Sequence, residues 1–306
     1  MSKFQFSPQS HRLGAQGYGR ALGLPALLLC LGIGNMVGAA DNKSVPKLSA
    51  AQIVEKHIEA RGGLPAWHGV TTMSWSGKME VGAGDSASRS ANYVSESKPR
   101  SKQVARTAVA ATTSKGEPVK QVQLPFLIEM KRPEKSRIEI EFDGKTSVQV
   151  FDGKNGWLVR PYLNRNDAEP FTADQAKAEA GKWELDGPLL DYSAKGTKVD
   201  AEGVETVDNR PAYKLKLTAK DGSVQRIWID SQTFLDVKVE GTPRRMDGRV
   251  RTVWVYQRDF RRVQGLMVPF QLETSVDGYQ DTHKMFVDKV TLNPALDDAL
   301  FAKPKS

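Results

Sequence analysis

The chain has 306 residues, a formal net charge of +8 and one cysteine, with 39% hydrophobic and 26% charged side chains. That length suits one large or two small domains, and the positive surplus is too diffuse for a nucleic-acid surface, though it favours anionic surfaces such as lipid head groups. A single cysteine excludes an internal disulfide framework, and the four histidines have no zinc-type spacing with one another or with the cysteine.

The first forty residues stand apart. Lys3, Arg12 and Arg20 are their only charges, Ala21 to Leu31 is an apolar run, and Val37-Gly38-Ala39-Ala40 precedes Asp41. The run is too short to span a bilayer as a helix, and the order of basic, apolar and small residues is that of a secretory signal peptide over 1–40, cleaved after Ala39 or Ala40. A retained anchor is the alternative, with no second long hydrophobic stretch to support it. Leu29 is too large to precede a lipidated cysteine, so Cys30 leaves with the leader and the mature chain has no thiol chemistry.

Residues 41–48 read as a flexible tether before a single domain over 49–306. Ser49 and Gln52 have capping-box spacing, Ile53, Val54, His57 and Ile58 recur at helical spacing, and Gly62-Gly63 ends the helix. His57 sits at the apolar stripe, as a packed core histidine rather than a ligand. After Pro65 the period falls to two. Met73, Trp75, Gly77, Met79 and Val81 alternate with polar residues, and the pattern returns at Leu124–Met130, Ile138–Phe142, Tyr213–Leu217 and Leu266–Leu272. Asp143-Gly144, Asp152-Gly153, Asn155-Gly156, Asp221-Gly222 and Asp277-Gly278 separate most of the runs. This predicts an antiparallel meander of about ten strands, apolar on one face and bound to curl or close. Residues 83–120, rich in Ser, Ala, Thr and basic residues, read as a solvated insertion. Residues 172–193, with Thr172 as cap and a further start at Gly187-Pro188-Leu189-Leu190, read as a helical lid over the concave side.

Catalytic chemistry is thin. No nucleophile elbow or phosphate loop is present. Glu139 and Glu141 share a strand face opposite Ile138 and Ile140, as solvation demands, and Asp297-Asp298 and Arg244-Arg245 read as surface charge. No catalytic residue, metal or cofactor is expected. The apolar face has two readings: one packed core under the helices, or a sheet too large for them that leaves a hydrophobic cavity. The second makes Trp75, Met79, Phe126, Ile128, Met130, Ile138, Ile140, Phe142, Trp157 and Phe270 the lining.

Lys131-Arg132-Pro133 leading into an alternating strand, then Phe151-Asp152-Gly153-Lys154-Asn155-Gly156-Trp157, resembles the outer-membrane lipoprotein-sorting proteins of the LolA/LolB-like superfamily. Residues 172–193, with Gly187–Leu190, loosely match the family's helix after that turn, and Asp259–Pro269 and Val54–Gly63 are similar to extended members of the group. The resemblance implies a mainly β fold with a few helices: one curved antiparallel sheet, an unclosed half-barrel whose concave side is covered by helices. It implies a monomeric periplasmic carrier of lipoprotein acyl chains or another lipid, passing between an inner-membrane donor and an outer-membrane acceptor, with transient membrane contact. It gives Arg132 the role of lid latch, which suits a planar donor able to hold several carbonyls. The chain is longer than the short carriers and lacks the lipidated cysteine of the membrane-bound receptor. A sensor or scaffold that binds a protein partner through the same sheet is the rival from another class. An enzyme would need a polar cleft with perturbed acids.

Overall fold

The computed structural model describes residues 45–81, 122–180, 182–280 and 282–305. The expected signal peptide and the insertion at 83–120 lie outside the described residues. Within them, α1 (Ala50–Ala60) and α2 (Leu64–His68) lead into β1 (Thr72–Val81). β2 (Val122–Lys131), β3 (Lys135–Phe142), β4 (Lys145–Phe151), β5 (Gly156–Arg160) and β6 (Arg165–Pro170) follow, then α3 (Ala173–Glu179). β7 (Lys198–Val207), β8 (Arg210–Thr218), β9 (Val224–Asp230), β10 (Asp236–Met246), β11 (Arg249–Val263), β12 (Leu266–Val276) and β13 (His283–Leu292) complete the sheet.

The thirteen strands form one antiparallel sheet in the order β6-β5-β4-β3-β2-β1-β13-β12-β11-β10-β9-β8-β7, and it does not close into a barrel. Two meanders therefore run outward from β1, and β6 and β7 are the free edges. The chain must still pass from one edge to the other, and residues 171–197 make that passage.

Period-two alternation fixes the inner face. Trp75 lies opposite both Val290 of β13 and Ile128 of β2, and Ile128 lies opposite Ile138 of β3, so one row of side chains crosses four strands. A bulge at Ser76/Gly77 keeps this face apolar, because Gly77 then meets Val287 and Met79 meets Met285. Gly77 is required there: a Cβ would collide with Phe286 O and come within 2.9 Å of Val287 Cα. The expected Asp143-Gly144 turn has both residues at positive φ, 51° and 67°, the combination a tight two-residue hairpin needs.

Two buried clusters occupy the concave side. One joins Met73, Phe126, Ile128, Met130, Val268 and Phe270 of the sheet to Trp67 and Val70. The other joins Tyr213, Leu215, Ile227 and Ile229 to Ile53 and Val54 of α1. A third, small cluster of Val207, Ala212 and Trp228 includes the outer side of β8–β9.

Two expectations need correction. Residues 45–48 do not hang free: Val45 and Leu48 pack on the second cluster, and Pro46 O accepts a hydrogen bond from Tyr213 Oη at 2.9 Å. The lid is helical only over Ala173–Glu179, where the expected cap Thr172 forms a capping box with Gln175. From Lys182 to Gly196 it is a series of turns. Adjacent Leu189 and Leu190 there serve the two different clusters, which a turn can arrange at the seam between them.

Candidate ligand trough and its lid

The trough is the concave apolar face, and its cover has three parts: α1, α2 and the turn segment 182–197. Leu185 and Leu190 of that segment are buried against the β1–β3 and β12–β13 side, with Trp183 packed beside them, while Leu189 enters the β7–β9 side. Side chains of this segment thus fill the apolar face from above.

Polar contacts hold the cover. Arg132, at the end of β2, donates from Nε to Val70 O at 2.8 Å and from Nη2 to Trp67 O at 3.1 Å, and Nη2 also meets Asp186 Oδ2 at 3.1 Å. The Asp186 side chain is only 4% exposed. One guanidinium therefore ties α2 and the turn segment to the sheet. Within the segment, Lys195 Nζ donates to Gly187 O at 2.9 Å and pairs with Glu184 at 2.7 Å. Burial pushes the Glu184 carboxyl above its usual range, opposed by Lys195. Trp183 Nε1 donates to Glu179 of α3 at 2.6 Å. His68 at the end of α2 lies 2.6 Å from Asp191. Near this contact a groove of about 480 Å³, lined by Ile58, Leu64, Asp191, Tyr192, Ser193 and Ala194, opens between the helices and the turn segment.

Beneath α1 lies a buried polar seam. His57 Nδ1 donates to Phe234 O at 2.9 Å, since a carbonyl can only accept. Burial holds the imidazole below its ordinary pKa, Asp236 pulls it up, and Arg61 pushes it further down. Arg61 lies 3.6 Å from Asp236 and stacks on Trp67 at 4.4 Å, while Gln257 donates to Asp236 at 2.8 Å. His57 is thus a packed core residue with its own hydrogen bond.

Of the expected lining, Trp75, Met79, Phe126, Ile128, Met130, Ile138, Ile140 and Phe270 come together in one cluster. Phe142 shares their face but lies at the strand end, edge-on to Tyr162 at 6.1 Å. Trp157 is placed elsewhere. It pairs with Val150, which pairs with Arg137, so its side chain lies on the face opposite Ile138. It lines a separate cleft of about 300 Å³ with Phe171 and α3 residues. Trp183, Leu185, Asp186, Leu190 and Lys195 are not among the expected lining, although all but Lys195 fall within the expected lid over 172–193. Glu139 is paired with Arg137 at 2.6 Å on the outer face. Among the described residues, no group of three His, Cys, Asp or Glu is arranged to hold a metal, and no helix is long and apolar enough to cross a membrane.

The open antiparallel sheet with its covered apolar face is similar to that of solved structures of low sequence identity. A LolA superfamily protein from Nitrosomonas europaea superposes with a TM-score of 0.50 at 16% identity, over 84% of this chain and 99% of that one. A DUF1329 family protein from Desulfovibrio piger matches at TM-score 0.49 and 11% identity, over 83% and 97% of the two chains. A putative outer membrane lipoprotein-sorting protein domain from Vibrio parahaemolyticus matches at 0.48 and 9%, over 83% and 96%. No protein-family model and no curated protein matches the sequence.

Proposed function

We propose that this protein is a periplasmic carrier that takes the acyl chains of a lipoprotein or another lipid into the trough, in exchange for the side chains of its lid. The observation that supports this most directly is the Arg132 contact set: one arginine at the trough rim holds two backbone carbonyls by α2 and a buried carboxylate on the turn segment. A small set of polar contacts at the rim suits a cover that can be released without unfolding the sheet. Burying a chain in place of Leu185, Leu189 and Leu190 exchanges apolar surface for apolar surface. The net affinity then comes from the chain's extra methylenes, at about 0.8 kcal/mol each. Arg132 acts as the latch, and Trp75, Met79, Ile138, Ile140, Phe126 and Phe270 line the emptied trough. No catalytic step is involved. The carrier meets its donor and its acceptor at two membranes.

The test is mass spectrometry of lipids and acylated peptides released from protein purified from the periplasm. A stoichiometric acyl species supports the reading. A lipid-free protein that also fails to quench or shift a fluorescent acyl probe overturns it, and leaves the scaffold that binds a protein partner.

A further inference from the structure

The inner row that crosses Trp75, Ile128 and Ile138 does not stay apolar. Ile138 lies opposite Gln149 of β4, Gln149 opposite Leu158 of β5, and Leu158 opposite Glu169 of β6. Arg160, two residues beyond Leu158 on the same face, donates from Nη2 to Glu169 at 2.5 Å. Tyr162 follows in a single 3-10 turn, Pro161–Leu163, and meets Phe142 of the inner face edge-on. The β4–β6 end of the trough is thus a polar corner terminating an apolar row.

The polar groups of this corner are short of partners. Gln149 Nε2, Arg160 Nε and Tyr162 Oη are buried and have no hydrogen-bond partner among the described residues. A buried polar atom left so costs about as much as a lost hydrogen bond, and three of them at one corner call for a reason. The buried unpartnered oxygens of Asp186 and Asp236 are different, because each faces a cation, Lys195 at 3.9 Å and Arg61 at 3.6 Å. In the corner two of the groups are N–H donors and the third is a hydroxyl, which can also donate. What they lack is an acceptor. Arg160 and Arg165 share the single carboxylate of Glu169, so the corner carries a surplus positive charge. The partner that suits it is therefore a carbonyl or carboxylate oxygen.

We propose that this corner receives the oxygen-bearing head of an acyl ligand, a carboxylate or an ester or amide carbonyl, with Gln149 Nε2, Arg160 Nε and Tyr162 Oη donating to it. The inference rests on the carrier reading and adds an orientation to it: head at β4–β6, hydrocarbon along the row towards Trp75. From Gln149 to Trp75 is three strand spacings, about 14 Å, which accommodates a medium-length chain. A wholly apolar guest would leave all three donors unpaired. The cover begins beside the corner, where Phe171 N donates to Gly156 O at 2.8 Å and the Phe171 ring stacks on Phe151, one row from Gln149. Lifting the cover to admit a chain opens the corner to its head in the same movement.

The experiment uses the chain begun at Asp41, which contains the whole compact unit Val45–Ser306, after removal of co-purified lipid. Dodecanoate, methyl dodecanoate and dodecane compete with a fluorescent acyl probe for wild type, Gln149→Met and Tyr162→Phe. One hydrogen bond is worth about fivefold in affinity, so the ratio of methyl dodecanoate to dodecane affinity should fall about fivefold in each variant. Each substitution also exchanges an unpartnered polar group for an apolar one of similar size, so the melting temperature of the ligand-free protein should hold or rise. Loss of preference for dodecanoate alone supports a free carboxylate as the head, and loss for the methyl ester as well supports an ester-linked chain. Ratios unchanged in both variants overturn the corner and leave the carrier reading standing. A fall of several degrees in melting temperature in both variants also overturns it, since the groups would then already be satisfied within the protein. Failure of all three compounds to compete removes the carrier reading, and the corner with it.

Discussion

Replacing Arg132 with leucine removes three donors from the rim of the trough and leaves Asp186, whose side chain is 4% exposed, with Lys195 at 3.9 Å as its nearest remaining cation. Hydrogen bonds from a charged donor contribute about 1.5–3 kcal/mol each, and stripping a buried carboxylate of its partner costs about 3–5 kcal/mol. The Arg132 side chain is 31% exposed, so water replaces part of what is lost. About 3 kcal/mol is the appropriate scale. That shifts the closed-to-open ratio of the lid by about two orders of magnitude. If ligand enters only the open form, the apparent affinity of Arg132→Leu for an acyl probe rises by up to the same factor and release slows. Fluorescence titration with a medium-chain acyl probe measures the first, and stopped-flow transfer to vesicles the second. Hydrogen exchange should show the Leu189 and Leu190 amides opening faster while β8 and β12 stay protected. Wild-type affinity together with wild-type exchange across 182–197 would refute both the latch and the magnitude.

Other outcomes follow from buried groups. Because burial lowers the folded pKa of His57 below its ordinary value, the unfolded chain binds that proton more readily. Stability is full above about pH 6.5 and is lost as pH falls from there towards the lowered value, by at most about 1.4 kcal/mol per pH unit. Urea unfolding at pH 7 and pH 5 should show this fall in the wild type and a smaller one in His57→Gln; equal slopes would contradict it. Leu190→Ala opens a cavity at a fully buried site and should destabilise by about 2–5 kcal/mol in thermal unfolding. Gly77→Ala forces β13 away from β1 and should cost about 1–3 kcal/mol, with a smaller loss, about 0.5–1 kcal/mol, for Gly144→Asn, where a Cβ meets nothing within 4 Å but φ is 67°, a left-handed value that asparagine adopts at a cost.

Most of the sheet was legible because one of its faces is wet. Where apolar and polar residues alternate, as at Met73–Met79 or Ile138–Phe142, the period names both the strand and its inner face. Gly156-Trp157-Leu158-Val159 has no polar partner set, so nothing local says which side Trp157 takes. Its pairing with Val150 decides that, and pairing is a long-range fact. The lid misled for a related reason. Thr172 correctly marks a helix start, but Gly187-Pro188 looks like another start only if Leu189 and Leu190 share one face. They belong to two clusters, and local periodicity cannot reveal two destinations. Arg132 was legible as a residue type suited to several carbonyls. Its carboxylate partner Asp186, 54 residues away, was not.

The passage from β6 to β7 has a mechanical consequence. Residues 171–197 are anchored at both ends to opposite free edges of one sheet, so this cover is a strap and not a hinged door. It cannot swing clear of the trough. It can only slacken or lift, and any guest that widens the half-barrel pulls on both anchors together. Girth inside and tension outside are then one variable, and the distance between β6 and β7 is the coordinate along which loading would be read.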